Sequence, residues 1–168
     1  YIRALAVYED GGKTYYAFLE EKISDNNGVA SIKVWDGLDE IVSVYQTNDI
    51  SVYNPGISLA VKNGNYALIY NNTFIYGNSE VGFKTISQQS TGFLHDNTNI
   101  FYVYPKYDST YYAYNFITNT ITSFSGECSL ATSENYNFNK IAATNNSLYV
   151  APSINSLNLQ GSICKFTG

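Results

Sequence analysis

The stretch Ser58-Leu59-Ala60-Val61-Lys62-Asn63-Gly64-Asn65-Tyr66-Ala67-Leu68-Ile69-Tyr70 decides the reading of this chain. Small and β-branched apolar residues run up to Asn-Gly and resume beyond it as a Tyr-bearing run. Asn and Gly tolerate positive φ, so Asn63-Gly64 predicts a tight hairpin between two strands. The same phrase recurs three times. Ala4-Leu5-Ala6-Val7 leads through Asp10-Gly11-Gly12 to Tyr15-Tyr16-Ala17-Phe18. Gly92-Phe93-Leu94 leads through Asp96-Asn97 to Ile100-Phe101-Tyr102-Val103-Tyr104. Ile141-Ala142-Ala143 leads through Asn145-Asn146 to Leu148-Tyr149-Val150.

Two further strand-like runs follow each phrase. They are Ser31–Trp35 and Ile41–Tyr45, Thr73–Tyr76 and Val81–Ile86, Tyr111–Tyr114 and Thr120–Phe124, and Ser156–Leu159 and Ser162–Phe166. The pattern predicts an all-β chain of four four-stranded antiparallel meander repeats, roughly 1–49, 50–89, 90–127 and 128–168, forming one domain over 1–168. The mean spacing is close to the ~40–50 residues of a propeller blade. Small residues in the leading strands (Ala4, Ala6, Ala60, Ala142, Ala143) suit strands that crowd toward an axis. A β-sandwich or jelly roll is the alternative, with the repeats reduced to ordinary hairpins.

Ile2–Val7, Asp10–Thr14, Asp25–Gly28 and Ser31–Asp36 follow one another as strand, turn, strand, turn and a strand ending in Trp35-Asp36. This first repeat, about a quarter of the chain, resembles a WD40 blade. Trp35-Asp36 has no counterpart in the other three repeats, and no Gly-His pair occurs. The resemblance therefore implies propeller-like geometry rather than membership in that family.

Composition narrows the setting. The 168 residues include 17 Tyr, 9 Phe, 1 Trp and no Met, and charged residues make up 14%. Average soluble domains carry about 25% charged residues. Aromatics this dense argue against disorder, and no apolar run approaches the ~18 residues of a membrane-spanning helix. A net charge of -5 argues against nucleic acid as a partner, since phosphate binding needs clustered cations. A chain that starts at Tyr1 and holds no Met suggests processing or a piece of a longer protein. Two Cys, Cys128 and Cys164, predict a disulfide in an extracellular or cell-surface setting. Asn71-Asn72-Thr73 and Asn145-Asn146-Ser147 are sequons, which makes Asn71 and Asn145 glycosylation candidates.

Catalytic signatures are sparse. His95 is the only His and sits in a predicted turn, and there is no nucleophile elbow. Glu20, Glu21, Asp36, Asp39 and Glu40 are the carboxylates from which a glycosidase pair would have to come. Glu20-Glu21 and Asp39-Glu40 read as strand-end charges that keep edges soluble, and a glycosidase ranks a distant third. Asp25-Asn26-Asn27-Gly28 offers oxygen ligands of the kind calcium takes but lacks the full loop spacing and reads as an ordinary turn, so no metal or cofactor is expected. Tyr, Asn and Ser together make a contact chemistry that suits sugars and proteins alike. The loop Tyr104–Ser109 and nearby rings make Tyr104, Tyr107, Asp108, Tyr111 and Trp35 the candidate binding residues. The resulting expectation is a non-catalytic recognition or adhesion module for a protein or glycan, not inserted in a membrane. The alternative is a structural subunit of a filament, viral fibre or surface layer, self-assembling by strand-edge contacts.

Overall fold

A computed structural model of the chain describes residues 1–24, 27–38, 41–48, 57–94, 99–105, 110–125, 140–144, 147–151 and 164–167. The fold is all-β, in four antiparallel sheets of consecutive strands. The first sheet holds β1 (Ile2–Asp10), β2 (Lys13–Ser24), β3 (Asn27–Trp35) and β4 (Val42–Thr47). The second holds β5 (Ser58–Lys62), β6 (Asn65–Tyr70), β7 (Thr73–Asn78) and β8 (Gly82–Ser87). In the third are β9 (Gln89–Leu94), β10 (Ile100–Pro105), β11 (Thr110–Asn115) and β12 (Thr120–Ser125). The fourth has β13 (Lys140–Thr144), β14 (Ser147–Ala151) and β15 (Cys164–Thr167). Among the described residues the strands form four separate meanders of three or four strands.

Turn chemistry sets these hairpins. Gly11 and Gly12 have φ of 55° and 77°, Asn63 and Gly64 have 50° and 69°, and Asn71 and Asn72 have 48° and 55°. Two consecutive positive φ values give the turn whose twist matches that of the flanking strands. A second turn recurs after the third strand of three sheets. Asp36 Oδ1 accepts from the Leu38 N–H at 3.0 Å, Asn78 Oδ1 from the Val81 N–H at 2.8 Å, and Asn115 Oδ1 from the Ile117 N–H at 2.9 Å. A side-chain oxygen that captures backbone N–H groups turns the chain into the fourth strand.

The first three sheets lie face to face in series, with the second between the first and third. All six residues of β6 are buried. Tyr66, Leu68 and Tyr70 join a core with Ala17, Leu19, Ala30 and Ile32 of the first sheet. Ala67 and Ile69 join a second core with Phe101, Val103, Tyr114 and Phe116. Alternation along one strand thus serves two interfaces. Each fully buried Leu, Ile or Phe contributes roughly 1.5–3 kcal/mol before entropy is counted. The leading strands follow one another, β1 against β5 and β5 against β9, and β12 touches β15. Ala4 and Ala6 pack against the first core and Ala60 lies within the second. Ala142 on β13 is exposed. Among the described residues the series forms no closed ring.

The fourth repeat departs from the predicted pattern. β15 pairs directly with β14, Val150 opposite Cys164, and so takes the place expected for a strand at 156–159. Residues 156–159 lie outside the described residues.

Candidate interaction surface

β1 is apolar at both parities. Ala4, Ala6 and Tyr8 face the second sheet, so Leu5 and Val7 must face the other way. Pairing extends that face across the sheet in register: Val7 opposite Tyr16 opposite Trp35, and Leu5 opposite Phe18 opposite Lys33. Leu5 is 61% exposed, Val7 56% and Trp35 38%. The Tyr16 and Trp35 rings meet at 5.6 Å with an interplanar angle of 38°. Cross-strand neighbours of this kind form one continuous apolar face.

Charge lies on the same face. Lys33 Nζ stands 2.6 Å from Glu20 Oε2, and Lys22 Nζ stands 3.7 Å from the same oxygen. The hydrogen bond from Lys33, aided by the charges of Lys33 and Lys22, holds the Glu20 carboxyl below its usual range. The face therefore joins an apolar centre to charges of both signs.

Glu21, the next residue, points to the opposite side. It is 2% exposed. Arg3 Nε lies 2.9 Å from its Oε2, and the Tyr70 hydroxyl donates to Oε1 at 2.7 Å. Both oxygens are engaged, which ties β1 and β2 to β6. This corrects the strand-end reading of Glu20-Glu21. The two stand mid-strand and on opposite faces, because successive strand residues alternate. Asp36 is the turn former described above, while Asp39, Glu40 and His95 lie outside the described residues.

A cleft of about 220 Å³ opens between the first two sheets, lined by Tyr45, Thr47, Tyr70, Thr73, Ile75, Thr85 and Ser87. Every lining residue but Ile75 carries a hydroxyl. The cleft offers neutral hydrogen bonding and no free carboxylate of its own.

The sequence-predicted binding residues that the structure describes fall on two sheets, Trp35 on the first and Tyr104 and Tyr111 on the paired strands β10 and β11 of the third. Trp35 stands on the outer face of the first sheet. Tyr111 belongs to the third sheet and is 4% exposed, and burial pushes its hydroxyl up to about 12. Tyr104 pairs with Thr91 in β10, and Tyr107 and Asp108 lie outside the described residues. Asn71 opens the β6–β7 turn, while Asn145 lies outside the described residues. Cys164 is in β15, and its predicted partner Cys128 lies outside the described residues. Sequence reasoning missed Leu5, Val7, Tyr16 and Phe18 as a surface. The signal was present in β1, since a strand apolar at both parities needs cover on both faces.

No protein-family model matches the chain, and no curated protein matches it.

Proposed function

We propose that the chain is a non-catalytic, extracellular contact module whose meanders are propeller-like blades, and that it acts by binding protein on the outer face of its first sheet. The observation that carries this reading is the exposure of Leu5, Val7 and Trp35 on one continuous face. The second sheet, by contrast, feeds a core on each side. Exposed apolar patches of this kind mark interaction sites. Two features support the blade reading. The leading strands of the first three sheets contact one another in sequence, and the Asp/Asn turn falls at the same place in these three sheets. The engagement of Glu20 by Lys33 and of Glu21 by Arg3 and Tyr70 supports a structural role for these carboxylates. Low charge, the sequon at Asn71 and the proposed Cys128–Cys164 pair support the extracellular setting.

The structural-subunit reading rests on a different feature, the nine-residue β1 at an edge of its sheet. An edge strand of that length can accept another chain.

Hydroxyl-radical footprinting tests the contact reading. Trp35 and Tyr16 should be protected in material from the native source and labelled in the dilute purified chain. Equal labelling in both would overturn it. Protection of the β1 backbone with Trp35 still labelled would favour the edge reading.

A further inference from the structure

We propose that a second copy of this chain seats its own first sheet, face to face, on the outer face formed by Leu5, Val7, Tyr16, Phe18 and Trp35. The inference rests on the contact reading above and names its partner.

Size is the first argument. β1, β2 and β3 have 9, 12 and 9 residues, whereas β5 to β8 have 5 or 6. Strands ~4.8 Å apart and ~3.3 Å per residue give a four-stranded face of roughly 550 Å². Two such faces would bury about 1,100 Å², which just clears the ~1,000 Å² that separates specific interfaces from incidental ones. A single loop or one sugar ring would leave much of the apolar centre wet.

Shape is the second argument. This chain already joins like faces in its interior. The rings of Phe74 and Phe101 stack at 5.9 Å, and those of Tyr76 and Tyr114 meet at 5.2 Å, across the boundary between the second and third sheets. Two sheets with the same twist pack aligned, with interdigitated side chains. The outer face of the first sheet continues the series with the same residue types.

Symmetry is the third. A two-fold contact requires a face that complements itself. The apolar rows can meet apolar rows, while Glu20 of one copy can approach Lys22 of the other. A glycan fits less well, because Leu5, Val7 and Phe18 give its hydroxyls no partners.

Trp35 is the only Trp in the chain, so its fluorescence reports the state of this face. Sedimentation of the purified chain from about 0.1 to 100 µM spans the relevant affinities. The expected result is a monomer–dimer transition. Trp35 emission should shift to the blue, with reduced acrylamide quenching, over the same concentration range. Val7→Lys and Leu5→Lys alter exposed positions, so far-UV circular dichroism and Tm should hold while dimer affinity falls about tenfold or more. A chain that stays monomeric with unchanged Trp emission overturns the proposal, as does a dimer indifferent to both variants. If the monomer persists yet footprinting shows Trp35 protected in native material, self-association fails while the contact reading stands. A blue shift on adding glycans to such a monomer would identify a sugar as the occupant instead.

Discussion

Glu21 and Asn65 are two of the three buried polar residues among the described residues, with Ser31 the third. Asn65 is 7% exposed. Its Nδ2 donates to the Phe116 carbonyl at 2.7 Å, and its Oδ1 accepts from Asn78 Nδ2 at 2.7 Å. A buried polar group is tolerated when its partners are present and costly when one is removed. Glu21 does for the first and second sheets what Asn65 does for the second and third. The Tyr70→Phe variant leaves Glu21 Oε1 without its donor, in a site with almost no solvent. Its unfolding free energy should fall by about 1.5–3 kcal/mol, the range for hydrogen bonds to charged groups, as read by urea titration. A loss below about 0.5 kcal/mol would show that water replaces the phenol. These roles were not legible beforehand. A strand sequence gives the parity of a carboxylate but not what stands opposite it.

At the scale of the strand, the turns were the most readable part of the sequence. Asp10-Gly11-Gly12 and Asn63-Gly64 form the predicted hairpins, because local backbone preference suffices to specify them. The boundaries of β5 to β8 fall close to the predicted runs for the same reason. Gly92 shows the limit of local reading. Its role depends on β10, where a Cβ built at Gly92 would come within 2.3 Å of the Phe101 ring. Phe101 is 1% exposed and lies in the second core, so it has little room to yield. Gly92→Ala should lower stability by about 1–3 kcal/mol, measured as a drop in thermal midpoint. A midpoint within error of the parent would mean that the ring shifts freely. The fourth repeat also diverged at this scale. Its last strand pairs one place earlier than the repeat pattern implied, and pairing register is a tertiary choice when several short runs compete.

For the molecule as a whole, the buried tyrosines make stability depend on alkaline pH. Burial raises the hydroxyls of Tyr66, Tyr111 and Tyr114 above the ordinary value near 10.0, with Tyr8 beside Tyr66 and Tyr76 beside Tyr114 adding to the effect. Tyr111 reaches about 12. Below pH ~10 the folded and unfolded chains both keep these protons, so the contribution is fully present. Above it the unfolded chain ionises first, and stability is lost on the order of 1 kcal/mol per pH unit for each such tyrosine. Urea midpoints should therefore stay level with respect to these groups up to about pH 10 and fall steeply beyond. Tyrosine ionisation followed by ultraviolet absorbance should show a late, cooperative step coincident with unfolding. A smooth titration of all tyrosines near pH 10, with no loss of structure, would show that these rings are not shielded.

The sequence by itself determined the all-β class, the meander order of the first three sheets and the turns at Gly11-Gly12 and Asn63-Gly64, because period-two patterning and positive-φ residues act over a few neighbours. It also contained, in the double-sided apolar character of β1, the demand for cover on both faces. Only the tertiary structure decided which face each sheet buries, since that depends on contacts between residues far apart in the chain. It placed Glu21 under Tyr70 and Arg3, drew Tyr111 inward, and left Leu5, Val7 and Trp35 facing outward. Local preference has no term for what arrives from another sheet, and burial is set by that arrival.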